Sequence, residues 1–302
     1  MAGPLKLDFV VATKDRPEEL RRLWRSLASQ TRLPDRVIIV DSSARPLALD
    51  RLEPASIVLR HIRTDVASAA RQRNLGLEAS GTDADLIGFL DDDVVLEENA
   101  VEEMLRFFGE FSPELGGAAF NMANHPAMDL PELKRTRLAE SLGLYARRAG
   151  AVTPSGFQTM VGSVEATVWT DWLPSGASVW RREIFRGHRF DEWYSGYSYL
   201  EDLDFSYRVG RAFRLAVVAG ARDSHLPAAG GRGNGYDFGL REVVNRLHFV
   251  RKYPELSVPK CYAALAVRLL MNVVFAARDG EASYLGRAWG NVVGLVKSAA
   301  RP

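Results

Sequence analysis

A chain of 302 residues with one cysteine, Cys261, can form no intrachain disulfide, and a reducing compartment is its expected home. Net charge is nearly absent as well: 39 Lys and Arg face 38 Asp and Glu, a formal +1 that offers no field to draw nucleic acid. No secretion signal is read at the N-terminus, because the apolar run 9–12 is too short for one and Asp8 and Lys14 flank it. A cytoplasmic location is the expectation. The five histidines show no HExxH spacing, and no internal repeat or low-complexity tract occurs. What is present, 47% apolar and 25% charged residues, suits a globular protein with a substantial core. The length fits one large α/β domain with an appended segment, or two smaller domains.

The first eighty residues alternate short β-branched runs with helical patterns, the signature of a parallel sheet with crossover helices. Residues 7–13 read as a strand, followed by a helix with Pro17 in its first turn and Leu20, Leu23, Trp24 and Leu27 on one face. Strands are expected at 36–40, 57–62 and 86–90, and helices at 67–79 and 97–108. Residues 122–170 have weak periodicity and stay unassigned. Beyond them come a turn at 174–176, a strand at 177–180, a helical turn at 181–185, a helix at 201–211 and a strand at 214–218. The glycines of 220–235 suggest a mobile loop.

Acidic residues fall where open α/β sheets bind ligands, beyond the carboxyl ends of strands: Asp15, Asp41, and the triplet Asp91, Asp92, Asp93. Three adjacent carboxylates repel one another unless a cation or hydrogen-bond donors hold them. In extended backbone Asp91 and Asp93 share a side, so a Mg2+ or Mn2+ can take oxygens from this turn and from a diphosphate. The plainer alternative is a solvated turn capping the next helix. A second cluster, Glu201, Asp202 and Asp204, opens a helix after Trp193, Tyr194, Tyr197 and Tyr199. The helix dipole alone accounts for part of it. Aromatic faces beside a carboxylate also suit a sugar and the removal of a hydroxyl proton. A lone histidine such as His225 is more often structural than a ligand.

Five segments in order, 10–17 (Val-Val-Ala-Thr-Lys-Asp-Arg-Pro), 40–42 (Val-Asp-Ser), 73–76 (Arg-Asn-Leu-Gly), 89–93 (Phe-Leu-Asp-Asp-Asp) and 172–177 (Trp-Leu-Pro-Ser-Gly-Ala) leading to 190–192 and 200–204, resemble the inverting GT-A glycosyltransferases of family 2. That group includes rhamnosyl- and galactosyltransferases of bacterial surface polysaccharides. The resemblance spans roughly residues 7–226. It implies a Rossmann-like, mostly parallel sheet flanked by helices, and metal-dependent transfer of a sugar from a UDP, dTDP or GDP donor to a saccharide or lipid-linked acceptor. By it, Thr13, Asp15 and Asp41 hold the nucleoside, Asp91 and Asp92 lie at the donor, and Asp93, with Asp91 and His225, takes the metal. Asp202 falls on the general base with Glu201 beside it. Trp172, Gly176 and Tyr199 line the acceptor side. The stretch 67–72 lacks the glycines usual there, so Arg71 and Arg73 compete for the phosphate. The implied organisation is a catalytic domain over 1–239, divided into a donor half (1–121) and an acceptor half (122–239), with a helical extension over 240–302.

That extension reads as helical at 240–253 and again, long and apolar, at 261–277. Arg268 at its middle, with Asn272 a turn on, argues against crossing a bilayer. From Arg246 onward nine Lys and Arg stand against three Asp and Glu, so the segment is expected to pack on the protein or lie on the inner face of a membrane. A sugar nucleotidyltransferase would carry a glycine-rich phosphate loop after its first strand, and 10–17 holds no glycine. A non-catalytic binding protein on the same fold would be expected to lack some of Asp91, Asp93 and Asp202.

Overall fold

The computed structural model describes residues 4–47, 52, 56–111, 113–125, 137–141, 143–196, 198–227 and 234–299. The chain divides into two compact units, residues 1–129 with 160–228, and residues 130–159 with 229–302.

The first unit is organised by a sheet. Strands β1 (Leu7–Thr13), β2 (Arg36–Asp41), β3 (Val58–Arg63) and β4 (Leu86–Asp91) are parallel and ordered β3-β2-β1-β4. Helices α1 (Pro17–Ala28), α2 (Ala69–Ala79) and α3 (Ala100–Glu110) follow in sequence, and α5 (Glu201–Gly210) comes after the short α4 (Arg137–Ser141) of the second unit. Both faces of β1, β2 and β4 are covered, which is why they read as apolar runs, whereas the edge strand β3 is largely exposed. Phe9, Val11, Val37 and Ile39 meet Leu23, Trp24 and Leu27 of α1 and Met104 and Phe108 of α3 in one layer. Val10, Ile38, Val40 and Phe89 meet Ala70 and Leu77 of α2 and Phe205 and Val209 of α5 in the other. Gly76 brings α2 close to β1: a Cβ there would lie 2.2 Å from Val10 Cγ1.

Beyond β4 the sheet is mixed. β5 (Val94–Leu96), β6 (Leu115–Met122), β7 (Val168–Thr170), β8 (Ala177–Arg181) and β9 (Arg214–His225) extend it in the order β4-β8-β6-β9-β5, with β7 also on β9. β8 is antiparallel to both β4 and β6, while β6 and β9 are parallel. The expected parallel character therefore ends at β4. Parallel neighbours need a long crossover, usually a helix, and among the described residues the one helix between β6 and β8 is the short α4. Only part of 220–235 departs from the loop its glycines suggested. β9 runs on to His225, a helix starts at Gly235, and 228–233 lie outside the described residues.

From β1 the chain moves outward to β2 and β3, then returns to the other side as β4. Such a reversal opens a crevice at the carboxyl ends of the two strands, here at Thr13 and Asp91.

The second unit is helical: α6 (Gly235–Lys252), α7 (Val258–Asp279) and α8 (Ala282–Ala299). Asn234 caps α6 by accepting from Asp237 N at 2.9 Å, Ser257 caps α7, and Gly280 ends α7 at φ 69°. Glycines let α6 and α8 meet backbone to backbone, since a Cβ on Gly239 would lie 2.1 Å from Arg287 O.

Candidate active site

The acidic triplet is built on the end of β4. The strand stops at Asp91, and Asp92 and Asp93 turn into β5, so the extended alternation that would align Asp91 with Asp93 does not continue. Asp92 is buried. It accepts from Thr13 Oγ1 at 2.7 Å and from Arg16 Nη1 at 3.0 Å. Burial pushes its carboxyl up to about 6, against the pull of those two donors. Asp93 accepts from the same Arg16 nitrogen at 3.3 Å, and its Oδ1 lies 3.1 Å from His225 Nε2. The pairing of β5 with β9 places Val94 opposite His225, which is how two residues so far apart in sequence meet. Asn124 pins the histidine backbone, accepting from its N–H at 3.0 Å and donating to its carbonyl at 2.6 Å.

Asp91 turns the other way, toward α2. Arg73 Nη2 donates to Asp91 Oδ1 at 2.9 Å, and Arg73 Nη1 donates to Glu201 Oε1 at 2.6 Å. One buried guanidinium thus ties the end of β4 to the start of α5, with Phe190 packed 5.4 Å from it. Burial pushes Glu201 up to about 8, helped by neighbouring Asp202 and opposed by Arg73. Asp202 beside it is raised too, by burial first and by the charge of Asp91, although Leu203 N donates to its Oδ1 at 2.7 Å.

Nucleoside-side expectations fall at the ends of β1 and β2. Asp41 is fully buried and already engaged, accepting from Ser43 N and Arg63 Nη1, each at 2.7 Å, with His61 Nε2 at 3.3 Å. Burial alone would raise its carboxyl, but the Ser43 and Arg63 hydrogen bonds outweigh this and hold it below the usual range. Thr13 spends its hydroxyl on Asp92. Asp15 has φ 54° and receives Ala44 N at 3.0 Å. Among the described residues the other non-glycine positions with positive φ are Ser198 (51°) and Leu200 (77°), the latter directly before Glu201. Such backbone costs of order 1–3 kcal/mol per residue and gathers where a site must be held in one shape.

The two arginines of α2 separate cleanly. Arg73 is committed to two carboxylates, whereas Arg71 is exposed and, among the described residues, pairs with the exposed Glu192 at 3.2 Å. On the acceptor side Trp172 is 3% exposed and presents no open ring, Tyr199 is half-buried, and Trp193, 46% exposed, is the more open aromatic. Gly176 serves the acidic turn itself. Its carbonyl accepts Asp91 N at 2.7 Å, and a Cβ there would meet Asp91 Oδ2 at 2.8 Å. Sequence reasoning passed over Arg16, Arg63 and Asn124. Arg16 was visible as a cation just after β1, but Arg63 and Asn124 become site residues only through strand pairing.

Among the described residues no three His, Cys, Asp or Glu side chains converge as a ligand set. Asp93 Oδ1 and His225 Nε2 nevertheless present an oxygen and a nitrogen donor at one point. Asp223, buried two residues earlier on β9, has carboxylate oxygens with no hydrogen-bond partner among the described residues. Burial pushes Asp223 up to about 7, so the fit to a divalent ion rests on the two donors, with the remaining ligands taken from phosphate and water.

Glu201 also sets a pH dependence. Its folded value, about 8, exceeds the ordinary 4.5, so the folded state holds an extra proton between those values. The stability that proton confers is complete below about 4.5 and is lost as pH rises through about 8. In chelator-treated protein, Glu201→Gln should flatten the fall of the unfolding midpoint between pH 6 and 9. A slope identical to wild type would remove Glu201 as its source.

Residues 8–126 match the family model described as glycosyl transferase family 2, a stretch running from β1 past β6. No curated protein sequence matches the chain. Solved structures similar to it include S. aureus TarS, at 14% identity and TM-score 0.50, over 90% of this chain and 44% of that one. This chain thus spans less than half of the longer TarS chain. TarS 1–349 in complex with UDP-GlcNAc is 15% identical, with TM-score 0.53 over 90% of this chain and 73% of that one. The mannosyltransferase PcManGT from Pyrobaculum calidifontis, in complex with GDP-Man and Mn2+, is 14% identical, with TM-score 0.57 over 96% of this chain and 87% of that one. At such identities the likeness speaks to the fold.

Proposed function

We propose that this chain is a glycosyltransferase that moves a sugar from a nucleotide diphosphate donor to an acceptor hydroxyl, with inversion at the anomeric carbon. The observation that carries this reading is Arg73, which joins Asp91 at the end of β4 to Glu201 at the start of α5 through contacts of 2.9 and 2.6 Å. Two acidic groups distant in sequence thereby share one crevice, as a donor site and a base must. The match of residues 8–126 to glycosyl transferase family 2 supports it, as do the UDP-GlcNAc and GDP-Man complexes of the similar structures.

In this reading residues 1–121 take the donor, 122–239 the acceptor, and 240–302 form the extension, a functional division that differs from the packing units. Thr13, Asp15 and Asp41 shape the nucleoside end, Asp91 and Asp92 adjoin the ribose and phosphates, and exposed Arg71 reaches the diphosphate. Asp93 and His225 would hold Mn2+ or Mg2+, which when bound neutralises charge on the departing diphosphate, while Asp91, turned to Arg73, stays outside that pair. Tyr199 and the more open Trp193 face the acceptor, while Gly176 and buried Trp172 back the site from within. Asp202 accepts the proton of the acceptor hydroxyl as its oxygen bonds to the anomeric carbon and the bond from that carbon to the diphosphate breaks. Burial raises Asp202, which makes it a stronger base near neutral pH than an ordinary aspartate. Arg73 holds Glu201 beside it.

A thermal-shift series with UDP, GDP, dTDP and CDP, with and without Mn2+, tests the donor half of the proposal. One nucleotide at about 100 times its Kd should raise the unfolding midpoint by about 5 °C or more with Mn2+ and by far less without it. Asp93→Ala should abolish the difference between the two conditions. No shift with any of the four would leave the donor reading without support.

A further inference from the structure

The second unit has a helix built inside out. From Ala263 to Ala277 the exposed positions of α7 are Ala263, Ala266, Val267, Leu270, Val273, Val274 and Ala277, a stripe at helical spacing that is wholly apolar. It runs for about 21 Å at 1.5 Å per residue. Two polar residues in the middle of the same helix, Arg268 and Asn272, face the other way. Asn272 Nδ2 donates to Asn291 Oδ1 of α8 at 2.8 Å, and Arg268 Nε donates to buried Glu242 of α6 at 3.1 Å. A helix packed for water would reverse that arrangement.

The neighbouring helix repeats the pattern. α8 carries Leu285, Trp289 and Val296 at 57%, 61% and 66% exposure, spaced to share one face, and Leu270 on α7 is 64% exposed. Among the described residues, seven of the thirteen exposed large apolar side chains lie on these two helices. α7 is also the one described helix long and apolar enough to cross a bilayer, yet only 22% of its apolar window is buried. Arg268 in mid-helix is bound to Glu242 within the unit, which favours a helix lying flat over one that crosses.

Charge selects the occupant. Gly280 turns the chain back, and the Asn272–Asn291 pair makes α7 and α8 an antiparallel hairpin. The start of α7 and the end of α8 therefore share one end, where Lys260 and Lys297 have no carboxylate partner among the described residues. Apolar stripes with an interfacial tryptophan and unpaired lysines match an anionic bilayer surface: the side chains enter the acyl boundary and the ammonium groups meet lipid phosphates. Glycine-lined helix contacts with polar side chains turned inward are likewise the packing that lipid tolerates.

We infer that the α7–α8 hairpin is a docking surface for anionic lipid bilayers. The inference is independent of the donor-site reading and stands or falls by itself.

The test is flotation of the full chain with phosphatidylcholine vesicles, with and without 30 mol% phosphatidylglycerol. Wild type should float with the anionic vesicles at low salt, and at least ten-fold less without phosphatidylglycerol or at 0.5 M NaCl. The double variant Leu270→Ser, Trp289→Ser changes only exposed positions. It should keep the wild-type unfolding midpoint and lose at least ten-fold in bound fraction, and Lys260→Glu, Lys297→Glu should do the same. Wild type remaining with the unbound protein on anionic vesicles would overturn the inference. So would equal flotation of the serine variant, or a wild-type dimer in solution that the serine variant dissolves while vesicles capture neither.

Discussion

Asp202→Asn is expected to reduce sugar transfer by about 10²–10⁴-fold, the usual contribution of a positioned general base, while the Kd for the donor nucleotide stays within about two-fold. The asparagine keeps an oxygen that can accept Leu203 N, so the first turn of α5 retains its 2.7 Å hydrogen bond. What it loses is the ability to accept a proton. The split between turnover and binding is the informative part, because a folding defect would lower both. Single-turnover transfer with saturating donor is the measurement. Full activity in the variant would move the base elsewhere, with Glu201 the first candidate, and the roles assigned across the crevice would have to be redrawn.

Arg73→Met should have the largest effect on stability. The side chain is 5% exposed and holds Glu201, itself 9% exposed, and Asp91, 41% exposed. Removing one member of a buried pair costs about 3–5 kcal/mol, and the exposed Asp91 contributes little of that because water screens it. Glu201 has an escape: burial already pushes it up to about 8, and without Arg73 it keeps its proton to still higher pH. The loss should therefore fall near the lower end, about 3 kcal/mol or some 5–10 °C in unfolding midpoint. It should be greater at pH 9 than at pH 6, since only at high pH is the unpaired carboxylate forced to ionise. Arg73→Lys, which keeps the charge but cannot fork to two carboxylates, should lie between. Equal midpoints for wild type and the methionine variant at pH 9 would mean the bridge carries no weight.

Local pattern was enough wherever burial on both faces dictates composition. The runs at Leu7–Thr13, Arg36–Asp41 and Leu86–Asp91 could only be central strands, and their acidic ends could only lie beyond the carboxyl edge. The 3.6-residue spacing of Leu20, Leu23, Trp24 and Leu27 identified the buried face of α1, because one stripe against a sheet leaves little freedom. β6 escaped notice because its Gly116, Gly117, Ala118 and Ala119 are weak strand formers, allowed there by close packing against Trp180 and Phe213. α8 escaped for a related reason: its glycines at 286, 290 and 294 lower helix propensity, and the backbone contact with α6 that repays them is invisible in one dimension.

The sequence by itself determined the α/β class, the parallel half of the sheet and the delivery of Asp91, Asp92 and Asp93 to its ligand-binding edge, since these depend on hydrophobic period and strand order alone. Only the tertiary structure decided what each carboxylate does there. It gave Asp92 to Thr13 and Arg16, Asp93 to His225, and both Asp91 and Glu201 to Arg73. Those partners come from α2, β9, the end of β1 and the loop after it, and a charge chooses among them by distance and burial, quantities that no linear spacing encodes.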